Sequence, residues 1–204
     1  MKYDLYAFDF DLTLADTLEV SLQNYAEAYS AIGLCFDEND IFSELGKSIE
    51  RCAEDIRSLV DSEDKLSDFE NAFYRSVDEN FFKVTLYGDV VKNLKRIKKA
   101  GAKIALITNR KRSAIDDSLK KYPSISPLID FFSTSDLTDR LKPLPDPLFL
   151  ALDALKIGAR SAIYIGDAKN DELCAIAAGV DFVYVDRNGR VCGDNKIFSL
   201  DELD

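Results

Sequence analysis

Residues 7–17 read AFDFDLTLADT. A run of aromatic and apolar residues, YDLYAFD over 3–9, leads into two aspartates one residue apart, Asp9 and Asp11, with Thr13 two further on. The run has the texture of a buried strand. Two carboxylates that close repel each other, and burial sharpens the repulsion. Positive charge from elsewhere in the chain or from a ligand must offset that cost.

Downstream the texture is regular. LYGDVVKNLKRIKKAG (86–101) is an amphipathic helix stopped by Gly101, and KIALIT (103–108) is a continuous apolar run, as a strand buried on both faces should be. A helix over about 112–121, a short strand near 129–133 and a helix over 146–156 follow, the last with Asp146 as N-cap and Pro147 at the first helical position. SAIYIGD (161–167) is the next strand, DELCAIAAG (171–179) a helix ended by Gly179, and DFVYVD (181–186) a final strand. Strands alternating with helices of this length predict an α/β fold, a doubly wound parallel sheet.

Between the first strand and this region the pattern is helical. Leu18, Leu22, Tyr25, Tyr29 and Ile32 recur at helical spacing over 17–32, with Thr17 as N-cap and Gly33 as stop. Residues 37–60 read as two short helices broken at Gly46. Residues 65–83 read as a third, striped by Leu66, Phe69, Phe73, Val77 and Phe81. The expected division is a core of residues 1–15 and 86–204, with a small α-helical subdomain, 16–85, inserted after the first strand.

Composition narrows the chemistry. The 204 residues carry a net charge of −11, which argues against nucleic acid or an anionic membrane as partner. No apolar run approaches the ~18 residues of a membrane span, and Asp4 and Asp9 interrupt the first apolar stretch, unlike a signal peptide. A cytoplasmic protein is expected. Cys35, Cys52, Cys174 and Cys192 have no zinc-like spacing and are expected to be buried or half-buried thiols. The chain has no histidine, so Ser-His-Asp and Cys-His catalysis and histidine metal sites are excluded. Neither a calcium loop nor a glycine-rich nucleotide loop is present.

In a parallel α/β sheet, ligands bind beyond the carboxyl ends of the strands. That rule gathers Asp9, Asp11 and Thr13, then Thr108 and Asn109, then Lys142 of LKPLPDP, then Asp167 with Asp171 four further on. Three carboxylates in one cleft call for a divalent cation, and oxygen-only ligation favours Mg²⁺. Mg²⁺ in turn favours phosphate, for which Lys142 and the Thr108 hydroxyl complete a cradle. One carboxylate of the pair can attack phosphorus. Its neighbour can protonate the leaving oxygen and later activate water, which requires it to hold a proton.

The set DFDLT, TN, K and GDAKND resembles the four motifs of the haloacid dehalogenase superfamily, specifically its small phosphatase-like members such as phosphoglycolate phosphatases and β-phosphoglucomutases, across about residues 3–186. The resemblance implies that Asp9 is a nucleophile forming an aspartyl phosphate, and that Asp11 is the general acid/base and offers its backbone carbonyl to Mg²⁺. It further implies that Thr108, Asn109 and Lys142 hold the phosphoryl group, and that Asp167 ligates Mg²⁺ with support from Asp171. Residues 16–85 then correspond to a helical cap, and ELGKS (44–48) to a specificity loop in which Gly46, Lys47 and Ser48 touch substrate. Asp11 argues for phosphoryl transfer over dehalogenation, since dehalogenases lack the second aspartate. The function expected is a Mg²⁺-dependent hydrolase of a small phosphate ester. A sugar phosphomutase on the same core and a non-catalytic phosphate-binding protein are the alternatives. NRKR (109–112) places three cations at a helix start, against the helix dipole, either as a solvated patch or to draw in anionic substrates.

Overall fold

A computed structural model gives the fold and describes all residues except 36, 38, 39, 42 and 43. Strand β1 (Leu5–Phe8) is followed by β2 (Ala15–Asp16) and by helices α1 (Leu18–Ala31), α2 (Ile49–Asp55) and α3 (Glu63–Asn80). Then come β3 (Thr85–Leu86), α4 (Val90–Lys99), β4 (Lys103–Ile107), α5 (Arg112–Leu119), β5 (Phe131–Ser133), α6 (Asp146–Leu155), β6 (Ala162–Gly166), α7 (Lys169–Ala178), β7 (Asp181–Val185) and β8 (Lys196–Ile197). The chain forms two compact units, Met1–Asp16 with Thr85–Asp204, and Thr17–Val84.

The first unit is built on a six-stranded sheet of order β5-β4-β1-β6-β7-β8, with every neighbouring pair parallel. It is the doubly wound α/β fold expected. Its central strands carry no polar face: every residue of β1 and β6 is buried, and so are the last four of β4. Helices therefore cover both sides. From β1 the chain winds outward through β4 and β5, then returns to the other side of β1 for β6, β7 and β8. Strand order thus reverses at β1, where such sheets open a crevice beyond their carboxyl ends.

Local chemistry sets the helix limits. In α4, Val90, Asn93, Leu94 and Ile97 are buried at helical spacing, and Arg96, Lys98 and Lys99 crowd the last turn, where the helix dipole favours cations. Gly101 then takes φ +87° and turns the chain into β4. Leu94 and Ile97 are fully buried, and such burial contributes about 1.5–3 kcal/mol per side chain.

The second unit packs α1 against α3 through Tyr29 and Phe69, ring centroids 5.0 Å apart, with Tyr25 on Phe73 at 4.9 Å. Its packing keeps Tyr25, Tyr29 and Ile32 of the expected face of α1 and widens that face with polar residues. Val20, Ser21, Asn24, Tyr25, Ala28 and Tyr29 are buried, whereas Leu18 and Leu22 are half-buried. The face is wider because a polar seam runs through it: the Ser76 hydroxyl donates to Asn24 Oδ1 at 2.8 Å, and Asn80 Nδ2 donates to the Ser76 carbonyl at 2.8 Å.

Other differences have similarly local causes. Thr17 occupies the N-cap position of α1, but its buried hydroxyl makes no cap bond. In α6 Pro145 is the N-cap, so Asp146 and Pro147 sit one residue further into the helix than expected. Of the two short helices expected over 37–60, the second is α2 and the first falls partly outside the described residues. Gly46 does turn there, at φ +83°. The two-residue strands β2, β3 and β8 are too short for periodicity to signal. Cys52 and Cys174 are buried, but Cys35 and Cys192 are exposed, contrary to expectation. Among the described residues no helix is long and apolar enough to cross a membrane.

Candidate active site

The ends of β1, β4 and β6, the three central strands, deliver Asp9, Thr108 and Asp167. Asp9 follows β1 directly, and its amide donates to the Ile165 carbonyl of β6 at 2.9 Å, so the sheet ladder itself holds its main chain. After Asp9 the chain folds into a tight turn. Leu14 and Ala15 both donate to the Phe10 carbonyl, at 3.0 and 2.9 Å, and Leu12 donates to Ala15 at 2.8 Å. The turn forces Leu12 to φ +53°, a left-handed conformation that costs an L-residue on the order of 1–2 kcal/mol. Outlying backbone of this kind concentrates at functional sites.

Lys142 organises the buried floor. It is 6% exposed, and its Nζ donates to Asp9 Oδ1 at 2.6 Å, to Asp171 Oδ1 at 2.7 Å and to the Tyr164 hydroxyl at 3.1 Å. Burial works against its charge, but Asp171 and Asp9 outweigh it and hold the ammonium above the usual lysine range. Asn109 fixes the main chain that carries this lysine. The Lys142 amide donates to Asn109 Oδ1 at 3.1 Å, and Asn109 Nδ2 donates back to the Lys142 carbonyl at 3.2 Å.

Asp171 is 1% exposed and fully engaged. Oδ1 accepts from Lys142 and, at 2.7 Å, from the Tyr164 hydroxyl. Oδ2 accepts from the Ala168 amide at 3.1 Å at the start of α7. Gly166 makes room for this carboxylate, since a Cβ there would lie 2.5 Å from Asp171 Oδ2. Tyr164 and Gly166 share one face of β6, so a hydroxyl and a missing side chain on the same face seat one carboxylate. Sequence reasoning missed both. Their signal was a tyrosine inside the otherwise apolar AIYIG, two residues before a glycine.

Asp9, Asp167 and Asp171 place carboxylate oxygens within 4.8 Å of one another. Burial is the main force raising Asp9, to about 7, with Asp171 and Asp11 adding to the rise and Lys142 opposing it. Asp167 is half-buried and shifts well upward for the same reasons, desolvation first and then Asp171 and Asp9. Among the described residues these three carboxylates share one ammonium, Lys142, and the excess of acid is what makes Asp9 and Asp167 hold on to their protons. The donor set is all oxygen and fits a hard divalent cation.

Asp11 lies outside that cluster. Its carboxylate is turned to Arg110, whose Nε and Nη2 donate to Oδ2 and Oδ1 at 2.7 Å each. The Thr108 hydroxyl accepts from the Arg110 amide at 3.1 Å, which leaves its own proton directed elsewhere. Thr13 is buried, and its hydroxyl has no partner among the described residues. Its carbonyl accepts from Arg187, at 3.1 Å from Nη2, while Arg187 also grips Asp89 at 2.7 Å and lies over the Tyr87 ring. Arg187 is a third residue the motifs did not reveal. Gly46 and Lys47 belong to the helical unit, where Lys47 pairs with Glu44 at 3.1 Å and Asp55 at 2.9 Å. Ser48 caps α2 by accepting from the Arg51 amide at 3.3 Å.

The chain is similar to known proteins along much of its length. Pyrophosphatase PpaX of Bacillus thuringiensis (strain Al Hakam) is 27% identical over 176 residues, covering 84% of this chain and 77% of the relative. Phosphoglycolate phosphatase of Colwellia psychrerythraea is 38% identical over 98 residues, which cover 48% of this chain and 43% of that protein. A crystal structure described as a haloacid dehalogenase-like hydrolase from Bacteroides fragilis matches with a TM-score of 0.89 at 27% identity, covering 99% of this chain and 100% of that one. A family model for haloacid dehalogenase-like hydrolases matches residues 6–185, from the first strand to the last residue of β7. The chain therefore belongs to the haloacid dehalogenase-like hydrolase family.

Proposed function

We propose that this protein is a Mg²⁺-dependent phosphomonoester hydrolase that acts on a small phosphorylated metabolite through an aspartyl phosphate on Asp9. The observation that carries the reading is the unbalanced carboxylate cluster: Asp9, Asp167 and Asp171 around a single buried ammonium, at the point where strand order reverses. Asp9 and Asp167, with the Asp11 carbonyl, would hold the cation, which when bound supplies charge to neutralise the phosphoryl oxygens. Asp171 is better suited to hold Lys142 and Tyr164 than to ligate, because both of its oxygens are already engaged.

In this reading Lys142 fixes Asp9 Oδ1, so Oδ2 is the oxygen that attacks phosphorus. The same ammonium and the Thr108 hydroxyl receive the phosphoryl oxygens, and Asn109 keeps Lys142 at the correct height. Asp11 protonates the leaving oxygen and then takes a proton from the water that cleaves the acyl phosphate. The helical unit, residues 16–85 by sequence, acts as a cap that excludes bulk water and selects substrate. Names among the relatives support a small phosphate compound as substrate, with phosphoglycolate and pyrophosphate the first to try.

The test is inorganic phosphate release from a panel of phosphate esters with and without Mg²⁺. Release that a chelator abolishes is expected. Asp9→Asn should lose about 10³-fold or more while keeping its fold by circular dichroism. Turnover by that variant at the wild-type rate would remove Asp9 as nucleophile.

A further inference from the structure

The Asp11–Arg110 pair conflicts with the role proposed for Asp11. Two parallel N–H···O bonds of 2.7 Å are the strongest arrangement a guanidinium and a carboxylate can make. A general acid/base has to present an oxygen to the leaving group and then to water. Here both oxygens are occupied by the same fork. The pair is not sealed away, for the side chains of Arg110 and Asp11 retain 17% and 27% of their exposure, so a ligand can reach them.

The main chain of Arg110 is fixed at both ends. Its amide donates to the Thr108 hydroxyl at 3.1 Å, and its carbonyl accepts from the Ser135 amide at 3.0 Å. The guanidinium therefore changes partner by side-chain rotation from a fixed stem. Its neighbour in the basic run behaves differently. Arg112 turns to Asp116 at 2.9 Å and lies 3.8 Å over the Phe132 ring. Of the two arginines of RKR, the first is aimed at Asp11 and the second away from it.

We propose that Arg110 determines specificity by taking a second anionic group of the substrate, and that this change of partner frees the Asp11 carboxylate for proton transfer. The proposal rests on the phosphatase reading above. The substrate class it names is a small phosphate ester or anhydride that carries a carboxylate or another phosphate near the transferred phosphoryl group. Reach sets the size. Asp9 and Asp11 are two residues apart, so their Cα atoms are separated by no more than about 7 Å, and the second anion must lie within a few bonds of the phosphorus. A carboxylate or phosphate matches the planar fork that Asp11 matched, so the exchange keeps both bonds. A neutral leaving group offers the fork nothing, and Asp11 stays engaged. Binding at the unreactive end of the substrate is thereby converted into a faster chemical step.

Phosphoglycolate and ethyl phosphate form a matched pair, differing by a carboxylate in place of a methyl group. In the full-length protein with Mg²⁺, kcat/KM for phosphoglycolate should exceed that for ethyl phosphate by about 10- to 100-fold, the worth of one charged hydrogen-bonded pair, with part of the difference in kcat. Arg110→Gln should bring the ratio close to one, and Arg110→Lys, which keeps the charge without the fork, should fall between. A purely structural role would depress both esters alike and leave the ratio unchanged, which overturns the proposal. So does a wild-type ratio near one. If Arg110→Gln does not fold, the wild-type and Arg110→Lys ratios decide. Phosphate release without preference removes only this inference, whereas no release from any ester also removes the phosphatase reading.

Discussion

In the helical unit the most deeply buried polar side chains are neutral. Asn24, Ser76 and Asn80 bond to one another between α1 and α3, and Glu44, 9% exposed, pairs with a Lys47 that is itself open to solvent. In the α/β unit charge is buried as well: beside the neutral Thr13, Thr108 and Ser133, the charged Asp9, Lys142 and Asp171 are each at most 6% exposed. Neutral groups can satisfy one another locally, and what this seam leaves over among the described residues is uncharged, the Asn24 Nδ2 group. Charged groups have to balance, and here, with Lys142 the one ammonium among three acids of the described residues, the balance is met by protons held on Asp9 and Asp167. The contrast separates an interior that only packs from one arranged to bind something.

Removing Lys142 should produce the largest effect. Lys142→Met leaves Asp9 and Asp171 buried without their ammonium, and losing one partner of a buried pair costs about 3–5 kcal/mol. Denaturant titration should show a loss of that size in the α/β unit, and phosphate release should fall to background. A variant that unfolds at the wild-type midpoint would break the comparison, since the floor would then not depend on charge balance.

A smaller effect is expected from pH. Asp9 titrates near 7 in the folded chain against an ordinary value of 3.8. The folded state therefore binds the extra proton between those values, and stability falls as pH rises through that window. With chelator present, the wild type should lose about 2 kcal/mol between pH 5.5 and pH 8. Asp9→Asn should show a shallower slope, retaining only what Asp167 contributes. Equal slopes for the two proteins would show that Asp9 carries no such burden. Smallest of all, Ser76→Ala should cost about 1–2 kcal/mol by stranding Asn24 Oδ1, and by the same amount at pH 4 and pH 8. A pH-dependent loss would show the neutral seam coupled to charge after all.

Continuous apolar runs with glycine stops made β1, β4 and β6 legible in the sequence, and the rule that ligands gather beyond strand ends brought Asp9, Thr108, Lys142 and Asp167 together before any coordinates. Partners set by tertiary geometry were not legible. Nothing in NRKR says that its first arginine turns inward to Asp11 while the next arginine turns outward to Asp116. Gly166 reads as a turn residue until Asp171 is seen where its Cβ would be. The buried face of α1 was legible at Tyr25, Tyr29 and Ile32, but not at Asn24, which hydrogen bonding draws inward while Leu18 and Leu22 stay half-buried.

The reciprocal bonds between Asn109 and the Lys142 main chain have one more consequence. They are the two bonds a neighbouring strand would supply, made instead by a side chain rooted at the end of β4. The ammonium thus takes its position from the sheet and not from the loop on which it is carried. Residues 137–141 are free to lengthen, shorten or change composition, as surface loops do, without altering the chemistry below. The lysine behaves as a plug in a socket, so this segment can be exchanged between related chains as a module wherever the asparagine is kept.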